Sequence, residues 1–169
     1  INTIDDLKGL KMRVPPSNVM VEGMSAMGAA ATPIAYNELY SALQSGVVDG
    51  AEAANSNYYA MKFYEVAPNW AILNWLLGYN IKIMSQERFD SLPDDLKEIL
   101  VEAAAEATDL ERQLYYASEE EKFDLLVAEG VAVTHPPREP FAEAAQSIYG
   151  NFTKTDEEKK ILEMIQATE

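Results

Sequence analysis

The chain contains no cysteine and one histidine, His135. Disulfides and thiolate metal sites are therefore excluded, and the compartment stays open between cytoplasm and a bacterial periplasm. With no second histidine and no nearby serine motif, His135 builds neither a zinc site nor a catalytic triad, and "VTHPP" reads as a surface turn. Basic residues are scarce: 13 Lys and Arg stand against 28 Asp and Glu, for a formal net charge of -15. Such a surface repels nucleic acid and anionic membranes, so neither is expected as a partner, and a small anion would need a local positive exception. No apolar run approaches the ~18 residues of a membrane-spanning helix, which argues against direct membrane insertion. Residues 1–6 have neither the basic start nor the apolar run of a signal peptide, so either the protein is cytosolic or the chain begins downstream of its true start.

What is present suffices for a real core: 169 residues, of which 48% are hydrophobic. In "DLKGLKMRVP", Leu10, Met12 and Val14 alternate with Lys11 and Arg13, which predicts a short strand stopped by Pro15 and Pro16. "SNVMVEGMSAMGA" predicts a helix capped by Ser17 or Asn18, with Val21, Met24 and Met27 inward and Gly28 as its stop. "ATPIAY" predicts a second strand, "NELYSALQSG" a helix capped by Asn37 and closed by Gly46, and "VVDGAEAA" a third strand. Strand and helix alternating with tight turns predict an α/β layer of parallel strands, with ligands at the strands' carboxyl ends. That rule places Pro15, Tyr36 and residues 49–54 near one crevice.

Further on, "NSNYYAMKFYEVAPNW" predicts one helix ending before Pro68, and the apolar run through Met84 one or two buried strands interrupted by Gly78. Residues 91–130 predict one very long helix, with Ser91 as N-cap, Pro93 in its first turn and Gly130 just past its end. Leu96, Ile99, Leu100, Ala103, Ala107, Leu110 and Leu114 form a stripe at helical spacing, and a break near Ser118 is the alternative to one unbroken rod. At the usual rise such a helix runs roughly 50 Å. "VAVTHP" predicts a last strand and "REPFAEAAQSIYGNF" a helix with Phe141, Ala145 and Ile148 inward. Residues 153–169 predict a charged tail with a short surface helix.

Read together, "DLKGLKMRVP", "ATPIAYNELYSALQSGVVDGAE", "KFYEV", "MSQERFDSLPDDLKEIL" and "EGVAVTHP" resemble the solute-binding proteins of tripartite ATP-independent periplasmic (TRAP) transporters, the DctP type. The most specific piece comprises Glu38, Tyr40, Ala42, Leu43, Gln44, Gly46, Val48, Asp49, Gly50 and Glu52. The resemblance runs from about Asp6 to about Phe152. It implies an α/β fold: a periplasmic binding protein type II-like lobe with a long lobe-spanning helix, part of a two-lobed protein of which this is the carboxyl-terminal portion. It implies residues 1–75 as the ligand-binding lobe carrying Arg13. Residues 76–152 then supply crossover strands, the spanning helix and elements packing on the other lobe, with 153–169 as the tail. It further implies a periplasmic location, a small carboxylate ligand, TRAP membrane subunits as partners and no enzymatic activity. A ligand-sensing module for a signalling partner would share the same lobe. No cofactor is expected.

The resemblance also assigns site residues. Arg13 matches the arginine that pairs with the ligand carboxylate, and a guanidinium suits that task because it donates two parallel charge-assisted bonds. It is the sole arginine before Arg88. The other reading is a strand arginine paired with a local acid. Tyr36 matches a pocket-lining aromatic, against a core tyrosine under the following helix. Ala53 stands where many relatives carry asparagine, so the backbone, Asn55 or Asn57 takes over that bond, or the ligand differs from polar sugar acids. Trp75 matches a cleft position and can stack on a ligand or fill core, with Asn74 beside it as the polar alternative. Asp49 and Glu52, three apart, read as turn and helix caps in preference to metal ligands. The glutamates Glu98, Glu102, Glu106 and Glu119 to Glu121 read as a solvated face. No nucleophile, base and oxyanion set can be assembled, which disfavours an α/β enzyme.

Overall fold

Two successive prolines hold the first strand to four residues. In the computed structural model, which describes residues 1–76, 78 and 80–168, β1 spans Lys11–Val14 and stops at Pro15. On one side it pairs in parallel with β2, Ala30–Pro33, in the register Arg13 to Thr32. On the other it pairs in parallel with β3, Gly50–Ala51, in the register Arg13 to Ala51. The order β2-β1-β3 is the predicted parallel layer. The strand predicted over "ATPIAY" ends early, at Pro33. Ile34 still donates its N–H to the Val14 carbonyl, but Pro15 and Pro16 have no N–H to return, and the Ile34 carbonyl accepts from the Arg13 side chain instead. A Cβ at position 50 would lie 2.9 Å from the Met12 sulfur, so a larger residue there would require the end of the Met12 side chain to move.

The helix α1, Asn18–Ala26, begins after Ser17 in extended backbone, and Gly28 at φ 99° turns the chain back into β2. Met20, Met24 and Met27 pack with Leu7, Val14 and Phe141 into one core cluster. The helix α2, Leu39–Gln44, starts later than predicted, because a 3-10 turn at Tyr36–Glu38 takes in Asn37, the expected cap. Leu39, Leu43, Val48, Tyr58, Phe63, Leu126 and Val131 form the second cluster.

The single helix predicted before Pro68 is broken in two. The helix α3 covers Asn55–Ala60, Lys62 turns left-handed at φ 55°, and a 3-10 turn follows at Phe63–Glu65. Tyr58 and Phe63 are both buried yet five apart, a spacing that one regular helix would point in different directions. The break at Lys62 lets both reach the core. Tyr58 stacks on Trp70 at 4.4 Å, and its hydroxyl donates to the Ala67 carbonyl.

The strand β4, Asn69–Ala71, is much shorter than the apolar run that predicts it. Its partner is the parallel β5, Ala132–Thr134. Past Ala71 the described residues up to Ser85 form no strand, and Ile81 and Ile83 are 72% and 89% exposed. The physical reason is the lack of a neighbour: the last ladder bond, from Ile72 to Thr134, exhausts the pairing that β5 offers. Leu77 and Tyr79, in that run, lie outside the described residues.

Ser91 closes a separate short helix, α4, Gln86–Asp90, by donating to the Arg88 carbonyl; it does not cap the long helix. Pro93 holds that cap position, and α5 runs unbroken over Asp94–Ala128, 35 residues, through Ser118. Gly130, at φ 87°, follows its end as predicted. Leu126 is fully buried, whereas Leu96, Ile99, Leu110 and Leu114 of the predicted inward stripe are 45–61% exposed. Only the last third of α5 is packed into the core of these residues.

The helices α6, Glu139–Gln146, and α7, Tyr149–Phe152, follow β5, and Phe141 is buried against α1. The predicted surface helix of the tail is α8, Asp156–Gln166, opened by a capping box between Thr155 and Glu158. Leu126, Val131 and Phe141 pack into the core clusters formed by the first 75 residues. Replacing Leu126 with alanine is expected to cost about 2–5 kcal/mol of stability, measured by urea unfolding of the full-length protein. A loss under about 1 kcal/mol would show that the end of α5 is not anchored there.

Candidate functional site

Parallel strands in one layer end on the same side, so β1, β2 and β3 deliver their following residues to one place. From β1 comes Arg13 with Pro15 and Pro16, from β2 Ala35 and Tyr36, and from β3 Glu52, Ala53 and Ala54; with Asn57 these line a cleft of about 550 Å³. Of the residues predicted around this crevice, Pro15, Tyr36 and 52–54 line it, whereas Asp49, Gly50 and Ala51 line a different cavity.

Arg13 is 3% exposed, although it carries a full charge. Removing that charge from water is costly unless hydrogen bonds and a counter-charge replace the solvent. The Nε donates to the Ile34 carbonyl at 2.9 Å, and Nη1 donates to Glu52 Oε1 at 3.3 Å. The guanidinium carbon lies 5.7 Å from the centre of the Tyr36 ring, within cation–π range. Tyr36 in turn meets Phe63 edge to face at 5.9 Å. These contacts leave further guanidinium N–H groups for an anion entering the cleft.

Burial raises the Glu52 carboxyl above its usual range, and the opposing pull of Arg13 does not cancel it. Burial likewise raises the Tyr36 phenol, with Arg13 working against the shift and Glu52 adding to it. Both groups sit where a negative charge is poorly solvated, and Arg13 is the positive charge beside them.

Of the residues singled out in the sequence, Arg13, Tyr36 and Ala53 come together here. Asn74 and Trp75 do not. They line a second cavity, about 580 Å³, bounded by Ile1, Met24, Trp70 and Tyr115 among others. Asn74 is left-handed at φ 49° and its carbonyl accepts from Arg138, while Trp75 packs onto Gly23 of α1. Residues 52–54 border both cavities and form one wall of the Arg13 cleft.

Ala53 presents a methyl group and no hydrogen-bonding side chain. Among its possible substitutes, Asn55 is committed elsewhere: its amide donates to the Glu119 carbonyl and accepts from the Trp70 indole. Asn57 lines the cleft. Asp49 accepts from the Lys11 backbone N–H at 2.8 Å, as a turn residue does. Glu52 caps no helix, contrary to expectation; it is the partner of Arg13. The register signals this, since Arg13 stands opposite Ala51 and the next residue is Glu52. Among the described residues no group of three or more His, Cys, Asp or Glu could hold a metal ion. His135 is exposed, just after β5. Glu119 is half-buried, which removes it from the solvated glutamate face.

The layer and its cleft define an α/β binding lobe of the type II periplasmic binding fold. The family described as bacterial extracellular solute-binding protein, family 7 (DctP), matches residues 1–156, and the chain belongs to that family. Its relatives include the sialic acid-binding periplasmic protein SiaP of Vibrio cholerae, 36% identical over 152 residues, 90% of this chain and 47% of the relative. The C4-dicarboxylate-binding periplasmic protein DctP of Rhodobacter capsulatus is 42% identical over 106 residues, 62% of this chain and 32% of the relative. Among solved structures, a TRAP periplasmic solute-binding protein of Xanthobacter autotrophicus Py2 with bound β-D-galacturonate superposes with a TM-score of 0.88 at 30% identity. That match covers 100% of this chain and 57% of the other. This chain spans about half the length of SiaP.

The raised Glu52 carboxyl has a defined sign in stability. The folded state holds the proton more tightly than the unfolded state, so the stabilising contribution is complete below the ordinary glutamate value and is lost as pH rises through the raised value. Thermal melts of the full-length protein should therefore show wild type losing stability relative to Glu52→Gln as pH rises through that window. A difference that is flat or grows in the wild type's favour would contradict the shift.

Proposed function

We propose that the complete protein is the extracytoplasmic solute-binding component of a TRAP transporter, located in the periplasm, which takes a small organic acid by its carboxylate on Arg13 and delivers it to the membrane subunits. The observation that carries this reading is a guanidinium only 3% exposed that is nevertheless placed at the wall of an open cleft. A structural ion pair alone needs no cleft. The Ile34 carbonyl and Glu52 orient the guanidinium, and its remaining N–H groups receive the two oxygens of a carboxylate. Tyr36 offers a ring face to the carbon skeleton, Ala53 a methyl contact and Asn57 a polar end. The opposite wall belongs to the part of the protein outside this chain, and closing it over the ligand strengthens the ion pair by removing water. Membership of the family and a fold shared with proteins that hold galacturonate support acid sugars as the first class to test. The site binds and releases; no reaction is assigned to it.

The test is thermal stabilisation of the full-length protein by uronates, C4-dicarboxylates and short monocarboxylates. One or a few should raise the melting midpoint, and Arg13→Ala should weaken binding by about a hundredfold or more, because the ligand's charge is then buried unpaired. Arg13→Lys should recover only part, lacking the planar fork. An undiminished shift in Arg13→Ala overturns the assignment.

A further inference from the structure

The wall formed by residues 52–54 has little to hold it from the sheet. The strand β3 is two residues long, and its last ladder partner is Arg13 itself. What fixes the other end is a side chain from the long helix. The Glu119 carboxylate accepts from the backbone N–H groups of Asn55 and Ser56, at 2.9 Å each, one on each oxygen. The Glu119 carbonyl accepts from the Asn55 amide at 3.2 Å, and the Trp70 indole donates to the same amide at 2.9 Å. One turn further along α5, Lys122 lies 5.5 Å from the Tyr59 ring centre, and Leu126 is buried in the core. Positions 119, 122 and 126 share a face, so α5 is seated on α3 through these residues.

We propose that Glu119 is a positioning residue for the Arg13 cleft: by clamping the start of α3 it sets the wall at 52–54, and with it the Glu52 carboxylate that orients Arg13. The inference rests on the carboxylate-binding reading of that cleft. A carboxylate suits the task because it accepts two N–H bonds at once along a defined direction, and N–H groups at a helix start have no partners within the helix. A shift of α5 displaces the clamp, and the wall with it. By reciprocity, a ligand on Arg13 that favours one wall position favours one seating of α5. Trp70 reports the clamp directly, since Asn55 joins its indole to Glu119.

The experiment uses the full-length protein labelled with 5-fluorotryptophan, D-galacturonate as the probe, and Trp70 assigned through Trp70→Phe. Binding to wild type should move the Trp70 resonance. Glu119→Ala should weaken binding about tenfold and abolish that movement, and Glu119→Gln, which keeps one acceptor oxygen, should fall between. Lys122→Ala, which loosens the same docking face without touching the clamp, should stay within about twofold of wild type. Equal losses in Glu119→Ala and Lys122→Ala, tracking their melting midpoints, would reduce Glu119 to a docking contact and overturn the proposal. Loss of binding in Arg13→Ala with none in Glu119→Ala overturns this inference alone. Undiminished binding by Arg13→Ala overturns the carboxylate reading, and the inference with it.

Discussion

A single positive charge taken out of water organises this lobe. Arg13 sits at the carboxyl end of the central strand with almost no solvent contact, so protein groups must stand in for water around it. The Ile34 carbonyl does so on one side, just past the end of β2. Glu52 does so on the other, from just past the end of β3. The Tyr36 ring covers a face. Each of the three strand ends is thereby shaped by the same guanidinium, and the space they leave open is the cleft.

An ion pair of this kind does not explain stability. The desolvation of two charges offsets much of their attraction, and at Glu52 burial raises the carboxyl despite the opposing pull of Arg13. Stability comes from the two apolar clusters, in which Leu39, Leu126, Val14 and Val48 are almost wholly excluded from water. The charged centre is better understood as a device for orientation. Its wall at 52–54 borders both cavities and is held at one end by β3 and Arg13 and at the other from α5.

The long helix has two regimes. Its last third is seated on α3 and in the core, while residues such as Ile99, Leu110 and Leu114 present apolar surface to solvent within these residues. The segment around Ile81 and Ile83 does the same. Exposed apolar side chains at helical spacing over several turns are uncommon on a finished surface. Their presence accords with a chain that spans about half of its relatives' length.

Local signals were legible wherever a residue's own backbone chemistry decides the outcome. Pro15 and Pro16 end β1, Gly28 and Gly130 end helices by turning left-handed, and α5 runs unbroken as the longer of the two readings expected. The order of strands and helices followed from their alternation, and with it the crevice at the strand ends. Other features depended on partners distant in the chain. The strand predicted through Met84 needs a neighbour to pair with, and among the described residues its pairing ends at Thr134. Asn37 is drawn into a turn, Glu52 is claimed by Arg13, and Glu119 leaves the solvated face to hold α3. Asn74 and Trp75, expected at the cleft, line the other cavity. The sequence by itself thus determined the parallel layer, the long helix and the lone arginine at a strand's end, because these follow from periodicity and from residues that constrain their own backbone. Only the tertiary structure decided which acid pairs with that arginine and what steadies the wall beside it, because a charge or a carbonyl is satisfied by whatever the fold brings within hydrogen-bond reach.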